Sequence, residues 1–238
     1  MKITLCIPMY NESLIIKDTA RALSEYMQKT FSVGDYEIIF SDDGSTDGSA
    51  ELVRALGLSG VKVVGYKNNR GKGAAVRNAV LASSGDIVMF TDADLAYGTD
   101  VVKTMTEALE KDREASLAIG SRNLTGDGYS GYTFMRKVAS KAYIKVLSVV
   151  GGFKMTDSQC GCKAYRGDVA REIFAKCKVS GFAFDFETIL RAQKAGLKII
   201  EVPVKIVNHR DSKINVFRDA FKMFGDLQRI KKDIKNEK

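Results

Sequence analysis

The chain is poor in several residue types, and each scarcity excludes a class of protein. Its 238 residues include no tryptophan, one histidine, two prolines and four cysteines. A Ser-His-Asp hydrolase would have to use His209, and no G-x-S-x-G sequence is present. So few cysteines are typical of reduced cytosolic thiols. Cys160, Cys162 and Cys177 could bind a metal, but their C-x-C spacing lacks the second close pair of a zinc site.

Long apolar runs are also missing. No run approaches the roughly 18 residues of a membrane span, and Met1-Lys2 leads directly into a strand pattern. The sequence therefore predicts no transmembrane helix and no signal peptide, and a cytosolic protein or one on the cytosolic face of a membrane. A hydrophobic content of 45% predicts a compact globule.

Basic residues are in excess. The chain has 37 Lys and Arg against 29 Asp and Glu, a formal charge of +8. This excess suggests an anionic partner such as a nucleotide, a phospholipid headgroup or a nucleic acid. The sign of the charge does not choose among them.

Short apolar runs alternate with amphipathic segments along the chain. The runs that predict strands lie at 2–8, 36–43, 61–66, 86–92, 117–122, 163–166 and 198–207. The segments that predict helices lie at 13–29, 47–57, 71–83, 99–111, 168–176, 184–195 and 215–235. This alternation favours an α/β fold in which helices cover both faces of a mostly parallel sheet.

Polar clusters follow three of these strands. They are residues 8–12, 42–45 and 92–94. Ligands of parallel sheets bind beyond the carboxyl ends of the strands, so we expect all three clusters on one rim. Asn11, Ser13 and Asp47 could instead cap helices.

Asp92 and Asp94 stand one residue apart after a buried strand. In an extended backbone, side chains at positions i and i+2 point the same way, with only Ala93 between them. Two carboxylates so placed could hold Mg²⁺ or Mn²⁺ together with a diphosphate. A turn with solvated aspartates is the alternative. Asp42 could accept a hydrogen bond from the base of a nucleotide, and Tyr10 could cover the ring of that base.

Other nucleotide-binding motifs do not match. Residues 68–76 (NNRGKGAAV) contain G-K-G but no G-x-x-x-x-G-K-[ST], and the third glycine of a dinucleotide fingerprint is missing. A P-loop ATPase or a dinucleotide enzyme is therefore disfavoured.

Two segments of the second half combine apolar and basic residues. Residues 133–154 carry five basic residues and no acidic one, and residues 215–235 place Phe217, Phe221 and Phe224 at helical spacing. The helix near 132–150 and the C-terminal helix could press on an anionic membrane. Packing against the domain is the alternative, and the one we favour for the apolar stripe of the C-terminal helix, which includes Phe217, Phe221 and Phe224.

Taken together, these stretches resemble a known family. IPMYNES (7–13), SDDGSTDGS (41–49), NRGKGAAVRNAV (69–80), SSGDIVMFTDADL (83–95) and GSR (120–122) are similar to family 2 glycosyltransferases of the GT-A fold. The second half resembles the polyprenyl-phosphate hexosyltransferase branch, which includes dolichyl-phosphate β-glucosyltransferases and mannose synthases. The matching stretches there are 157–174, 181–196 and 202–215.

The resemblance implies a single domain over residues 1–238 that performs an inverting, metal-dependent hexose transfer. Residues 1–125 would bind the nucleotide sugar and residues 126–238 the acceptor, a polyprenyl phosphate. The implied catalytic residues are Asp92, Asp94, Arg122 and Arg136, with Asp92 and Asp94 binding Mg²⁺ or Mn²⁺. The implied nucleotide-sugar residues are Pro8, Tyr10, Asn11, Glu12, Asp42, Lys72, Asp92, Ala93, Asp94, Arg210 and Lys213. The implied ligands of the acceptor phosphate are Arg122, Arg136 and Lys141.

One position departs from the mannose synthases. The glutamine that helps to hold their metal is replaced by Ala96, which favours the glucosyl branch and leaves the third protein ligand unassigned. UDP-glucose is the expected donor, GDP-mannose or a non-lipid hydroxyl acceptor being alternatives. A basic membrane-binding module without activity is the non-enzyme alternative. We expect no nucleic-acid partner. The motif carboxylates Asp157 and Asp185 have either a structural role or the role of a general base.

Overall fold

The computed structural model of the chain describes residues 1–129, 144, 148–149, 151–152, 155–208 and 216–237, the last segment with side chains from residue 225 on. Among them no helix is long and apolar enough to cross a membrane.

The described residues contain seven strands that form one sheet, in the order β3-β2-β1-β4-β6-β5-β7. The strands are β1 (Ile3–Met9), β2 (Tyr36–Asp42), β3 (Val61–Gly65), β4 (Ile87–Phe90), β5 (Ala115–Ser121), β6 (Lys163–Arg166) and β7 (Lys198–Pro203). β6 runs antiparallel to β4 and β5, and the other neighbouring strands pair in parallel. The prediction of a mostly parallel sheet is confirmed.

Helices cover both faces of the sheet. They are α1 (Ile16–Thr30), α2 (Ser49–Arg54), α3 (Lys72–Leu81), α4 (Val101–Lys111), α5 (Gly167–Lys176), α6 (Phe184–Lys194) and α7 (Val216–Asn236). Because successive side chains of a strand point to opposite faces, the strands supply two separate cores. Leu5 and Ile7 of β1 pack with α1, α2 and α4. Cys6 of β1 and Phe90 of β4 pack with α3, α5, α6 and α7.

The predicted strand over 198–207 is shorter in the structure. β7 ends at Pro203, which has no N–H to continue a ladder. Of the apolar residues that follow, Val204 and Ile206 remain buried and Val207 is exposed. Val204 N donates to the Ser121 carbonyl at the end of β5, and Val207 N donates to the Ala96 carbonyl. This segment therefore lies across the ends of β4 and β5.

The C-terminal helix packs on the domain along its described side chains. Leu227, Ile230 and Ile234 are buried in the core of the α3 face. Near its end, Lys194 of α6 donates to the carbonyls of Ile234 and Glu237. Packing is thus the role of this part of the stripe. The side chains of Phe217, Phe221 and Phe224 lie outside the described residues.

Candidate active site

The three polar clusters lie on one rim of the sheet. β2, β1 and β4 are neighbours and run in parallel, with Met9 opposite Asp42 and Cys6 opposite Phe90. Parallel strands end at the same edge, so residues 10–12, 42–45 and 92–94 meet there. The expectation drawn from the sequence is confirmed for these residues, whereas Pro8 and Met9 of the predicted cluster 8–12 are buried within β1.

The loops after β1 and β2 are tied together by their polar side chains. Asn11, at a positive φ of 52°, accepts a hydrogen bond from Thr46 N through Oδ1, and its own N–H donates to Ser45 Oγ. Ser13 N donates to Asp47, which also accepts from Ser49 at the start of α2. Asn11 and Ser13 are therefore not helix caps, because α1 begins at Ile16 without a side-chain cap.

Tyr10 and Pro8 differ in exposure. The Tyr10 side chain is 44% exposed at the rim, and Pro8 is buried in β1. An aromatic ring in this position can stack on a planar ligand. Glu12 lies between the tied loops, where its N–H donates to Ser49 Oγ.

The two aspartates at the end of β2 have different surroundings. Asp43 is 3% exposed and its carboxylate accepts hydrogen bonds from four residues. They are Tyr66, Asn69, Arg70 and Gly71. Asp42 is half-buried and accepts from Ser45 N. Asp43 therefore holds the loop before α3, and Asp42 is the carboxylate available at the rim.

Asp92 forms an ion pair with Lys72, the first residue of α3. The two side chains are 34% and 20% exposed. Burial lowers the pKa of Lys72, but Asp92 and Asp185 raise it by more. The ammonium group therefore stays protonated beside the carboxylate.

The glycines on both sides of Lys72 are needed for close packing. A Cβ on Gly73 would lie 2.6 Å from Phe184 Cβ and 2.8 Å from the carbonyl oxygens of Val179 and Gly181. Ala74 N donates to the Ser180 carbonyl. The small G-K-G sequence thus lets the loop before α6 pack against the start of α3, and this packing fixes the position of Lys72.

The backbone at Asp92 and Asp94 is a turn, so the expectation of an extended chain there is wrong. Leu95 N donates to the Asp92 carbonyl, and Leu95 has a positive φ of 51°. Asp94 Oδ1 accepts from Ala96 N, and the buried Ala93 carbonyl accepts from Thr19. The turn forms because the chain leaves the sheet directly after β4 and bonds to α1.

Arg122 follows β5 and pairs with Asp157. Its Nε and Nη2 lie 2.6 and 2.9 Å from the two carboxylate oxygens, and its backbone N–H donates to the same group. Asp157 is fully buried, and the guanidinium lies 5.1 Å from the ring centre of Tyr129. Burial lowers the pKa of Arg122, but its neighbours Tyr97 and Asp157 raise it well above its ordinary value.

Residues 157–163 form a wall behind Asp92. Gly161 lies so close that a Cβ there would overlap Asp92 Oδ2. Lys163 is fully buried, 2.6 Å from Asp185 Oδ1. Burial raises the pKa of Cys160 to about 11, so its thiol stays neutral at neutral pH.

Three of these contributors were missed from the sequence: Asp43, Gly161 and Lys163. A signal existed for Lys163, because a lysine in an apolar run must find a partner when the run is buried. Arg136, Lys141, Arg210 and Lys213 lie outside the described residues.

The residues present fit a divalent cation. Asp92 and Asp94 offer hard carboxylate oxygens at the rim, as Mg²⁺ and Mn²⁺ prefer. The Lys72 ammonium occupies one of the roughly four lone-pair sites of the Asp92 carboxylate, and the others remain for a cation. Within the described ranges no group of three acidic, histidine or cysteine side chains could hold a metal, so a ligand would have to complete the shell.

The sheet order, the helices on both faces and the acidic rim define an α/β transferase of the GT-A fold. Residues 4–174 match the model of a family described as glycosyl transferase family 2. The chain belongs to this family and is a glycosyltransferase.

Similar proteins cover nearly the whole chain. A dolichyl-phosphate β-glucosyltransferase of Dictyostelium discoideum is 31% identical over 96% of this chain and 73% of its own length. The dolichyl-phosphate β-glucosyltransferase of Homo sapiens is 27% identical over 95% and 74%. Among solved structures, glucosyl-3-phosphoglycerate synthase from Mycobacterium tuberculosis, crystallised with Mn²⁺, UDP and phosphoglyceric acid, matches with a TM-score of 0.70. That structure is 20% identical and covers 96% of this chain and 76% of its own, which supports the fold.

Proposed function

We propose that this chain transfers glucose from UDP-glucose to the phosphate of a polyprenyl lipid, with inversion at the anomeric carbon. The observation that carries the proposal is the rim of the sheet, where Asp92 contacts Lys72 beside Asp94, Asp42 and Tyr10. The similarity to dolichyl-phosphate β-glucosyltransferases over about 95% of the chain supports the choice of sugar and acceptor.

The donor would bind at the rim. The exposed ring of Tyr10 would cover the base, and Asp42 would accept a hydrogen bond from it. Asp92 and Asp94 would hold Mg²⁺ or Mn²⁺, and a bound ion would neutralise the diphosphate and make it a better leaving group. Lys72, already at Asp92, would donate to a diphosphate oxygen. Pro8, Asn11, Glu12 and Ala93 would shape this pocket.

The acceptor does not require a catalytic base. A hydroxyl acceptor must lose a proton as it attacks, whereas a phosphate monoester, with a second pKa near 6, is already largely anionic at neutral pH. The two carboxylates considered as bases are both engaged, Asp157 by Arg122 and Asp185 by Lys163. This supports their structural alternative and a lipid phosphate acceptor.

Cations would bring the lipid phosphate to the reacting carbon. Arg122 stands at the end of β5, and its pairing with Asp157 fixes the plane of its guanidinium. Arg136 and Lys141 would complete the acceptor site, and Arg210 with Lys213 would close over the donor. These four assignments rest on the resemblance alone.

The proposed donor site is tested by measuring thermal unfolding of the protein with nucleotides. UDP with Mn²⁺ should raise the melting temperature of the protein by mass action, and GDP with Mn²⁺ should raise it less. A melting temperature that no nucleotide changes would reject the donor site and favour a binding module.

The acceptor half is tested by label transfer. The purified protein is incubated with radiolabelled nucleotide sugars and polyprenyl phosphate, and the organic phase is counted. Label should appear with UDP-glucose. Label from GDP-mannose alone, or transfer only to water-soluble hydroxyl acceptors, would contradict the proposal.

We propose further that the protein acts at the cytosolic face of a membrane. The basic residues of 133–154 would bind anionic headgroups, each contributing about 1 kcal/mol near such a surface. Co-sedimentation with phosphatidylserine vesicles should be salt-sensitive and should fail with neutral vesicles. Equal binding to both would contradict an electrostatic attachment.

A further inference from the structure

The ion pair of Lys163 and Asp185 is buried next to the end of β4, where Lys163 lies opposite Phe90. The side chains are 0% and 8% exposed, and the ammonium also donates to the Cys160 carbonyl at 2.8 Å. Burying two charges costs free energy that only good geometry offsets. The bond from Lys163 to the Cys160 carbonyl shows that this pair fixes the backbone at Cys160.

Through Cys160, the pair fixes the backbone beside Asp92. Cys160 precedes Gly161, where an added Cβ would overlap Asp92 Oδ2. Gly161 N also donates to the Tyr97 hydroxyl at 3.3 Å. The other oxygen of Asp92 is held by Lys72. Each oxygen of Asp92 therefore has one fixed neighbour, a lysine at Oδ1 and a stretch of backbone at Oδ2. Because an ionised carboxylate has about four lone-pair sites, sites remain for a further ligand.

Asp185 joins this arrangement to α3. It is the second residue of α6, next to Phe184, which packs against Gly73 beside Lys72. The start of α6 thus contacts the element that carries Lys72 and, through Lys163, the turn that touches Asp92.

We propose that Lys163 and Asp185 are positioning residues for Asp92. They fix the turn at 160–161 in contact with the Asp92 carboxylate, and so orient that carboxylate to bind a metal diphosphate. This inference rests on the proposed function, because it assigns Asp92 to that ligand. Groups that orient metal ligands typically change metal affinity by about 10- to 100-fold when they are removed.

The test compares the affinity for UDP with Mn²⁺ and with EDTA, by calorimetry. In Asp185→Asn and Lys163→Met, the Kd for UDP with Mn²⁺ should rise about 10- to 100-fold, and the Kd in EDTA should stay within about twofold. Gly161→Ala keeps every charge but places a methyl group on Asp92 Oδ2, so it should show the same selective loss. Gly161→Ala tests only the contact of the turn with Asp92. If a charge variant does not fold, Asp185→Glu, which keeps the charge but shifts the carboxylate by one methylene, should show the same selective loss, and wild-type affinities in it would overturn the positioning role.

Two controls separate positioning from general destabilisation. Glu37→Gln removes another buried, ion-paired carboxylate, at the amino end of β2 and so opposite the rim, and should leave both affinities unchanged. Gly126→Ala adds a methyl group in open space and should do the same.

The outcomes are distinct. Folded variants with wild-type affinity for Mn²⁺ and UDP, or with equal losses with and without metal, would overturn the positioning role alone. A wild-type protein that binds UDP equally with Mn²⁺ and with EDTA would overturn both the metal assignment and this inference.

Discussion

Asp42 and Asp43 are adjacent, yet their carboxylates have different tasks. Asp43 accepts hydrogen bonds that hold the loop before α3, whereas Asp42 stands at the rim. In Asp43→Asn, an amide NH₂ would face backbone N–H donors, so we expect a loss of about 1–3 kcal/mol in the free energy of unfolding.

Asp42→Asn is the matched variant for this comparison. It should unfold within about 0.5 kcal/mol of the wild type, but should bind UDP more weakly. Urea unfolding and calorimetry measure the two effects. A stable Asp43→Asn protein, or an Asp42→Asn protein with unchanged UDP affinity, would contradict the division of roles.

Glu37 gives a pH-dependent contribution to stability. Burial raises its pKa, but hydrogen bonds from Lys62, Thr4 and Ser84 outweigh burial and lower the pKa from 4.5 to about 2. The folded state therefore gains stability from the ionised group above pH 4.5, and loses it as the pH falls towards 2. Because Lys62 is 46% exposed, its charge is solvated when Glu37 is removed.

We expect Glu37→Gln to unfold about 1–3 kcal/mol more easily at neutral pH. The difference from the wild type should shrink as the pH is lowered from 4.5 towards 2. Urea unfolding over this range measures it. A difference that stays constant with pH would show that the charge of Glu37 is not its cause.

At the scale of elements, the start of α3 depends on close contact with the loop before α6. Gly73→Ala would force a methyl group into Phe184 and two carbonyls, so we expect a loss of about 1–3 kcal/mol and weaker UDP binding, because Lys72 is displaced. Gly181→Ala, with open space around its Cβ position, should change stability by less than about 0.5 kcal/mol. Equal stability of the two variants would contradict this packing.

The C-terminal helix contributes to the core through its last three turns. Ile230 is 2% exposed, so Ile230→Ala should lower the free energy of unfolding by about 2–5 kcal/mol without any lipid present. Gln228→Ala, on the exposed side of the same turn, is the control. An Ile230→Ala protein as stable as the control would indicate that the helix serves a membrane surface instead.

For the whole molecule, the succession of strands and helices along the chain could be predicted from the sequence, because it depends on short-range apolar patterns. The acidic rim followed, since the carboxyl ends of parallel strands meet at one edge. The turn at 92–95 was mispredicted because the hydrogen bond from Thr19 of α1 to the Ala93 carbonyl cannot be seen in the local sequence. Asp43, Gly161 and Lys163 were missed for a similar reason: their roles depend on partners distant in sequence.

The whole molecule also explains how one rim can serve two anions. Residues 157–163 contact both Arg122, through Asp157, and Asp92, through Gly161. Arg122 and Asp92, which we propose bind the acceptor and the donor, therefore contact the same short segment. If the proposed roles are correct, this arrangement would place the cation for the lipid phosphate beside the site for the sugar diphosphate.

The most direct measurement is glucose transfer from radiolabelled UDP-glucose to polyprenyl phosphate by the wild type and by Asp94→Ala, with the organic phase counted. We predict Mn²⁺- or Mg²⁺-dependent label in the lipid for the wild type, and a loss of at least about 100-fold for the variant, of the size seen when one electrostatic contact to a reacting group is removed. Lipid label formed equally well by Asp94→Ala would contradict the account.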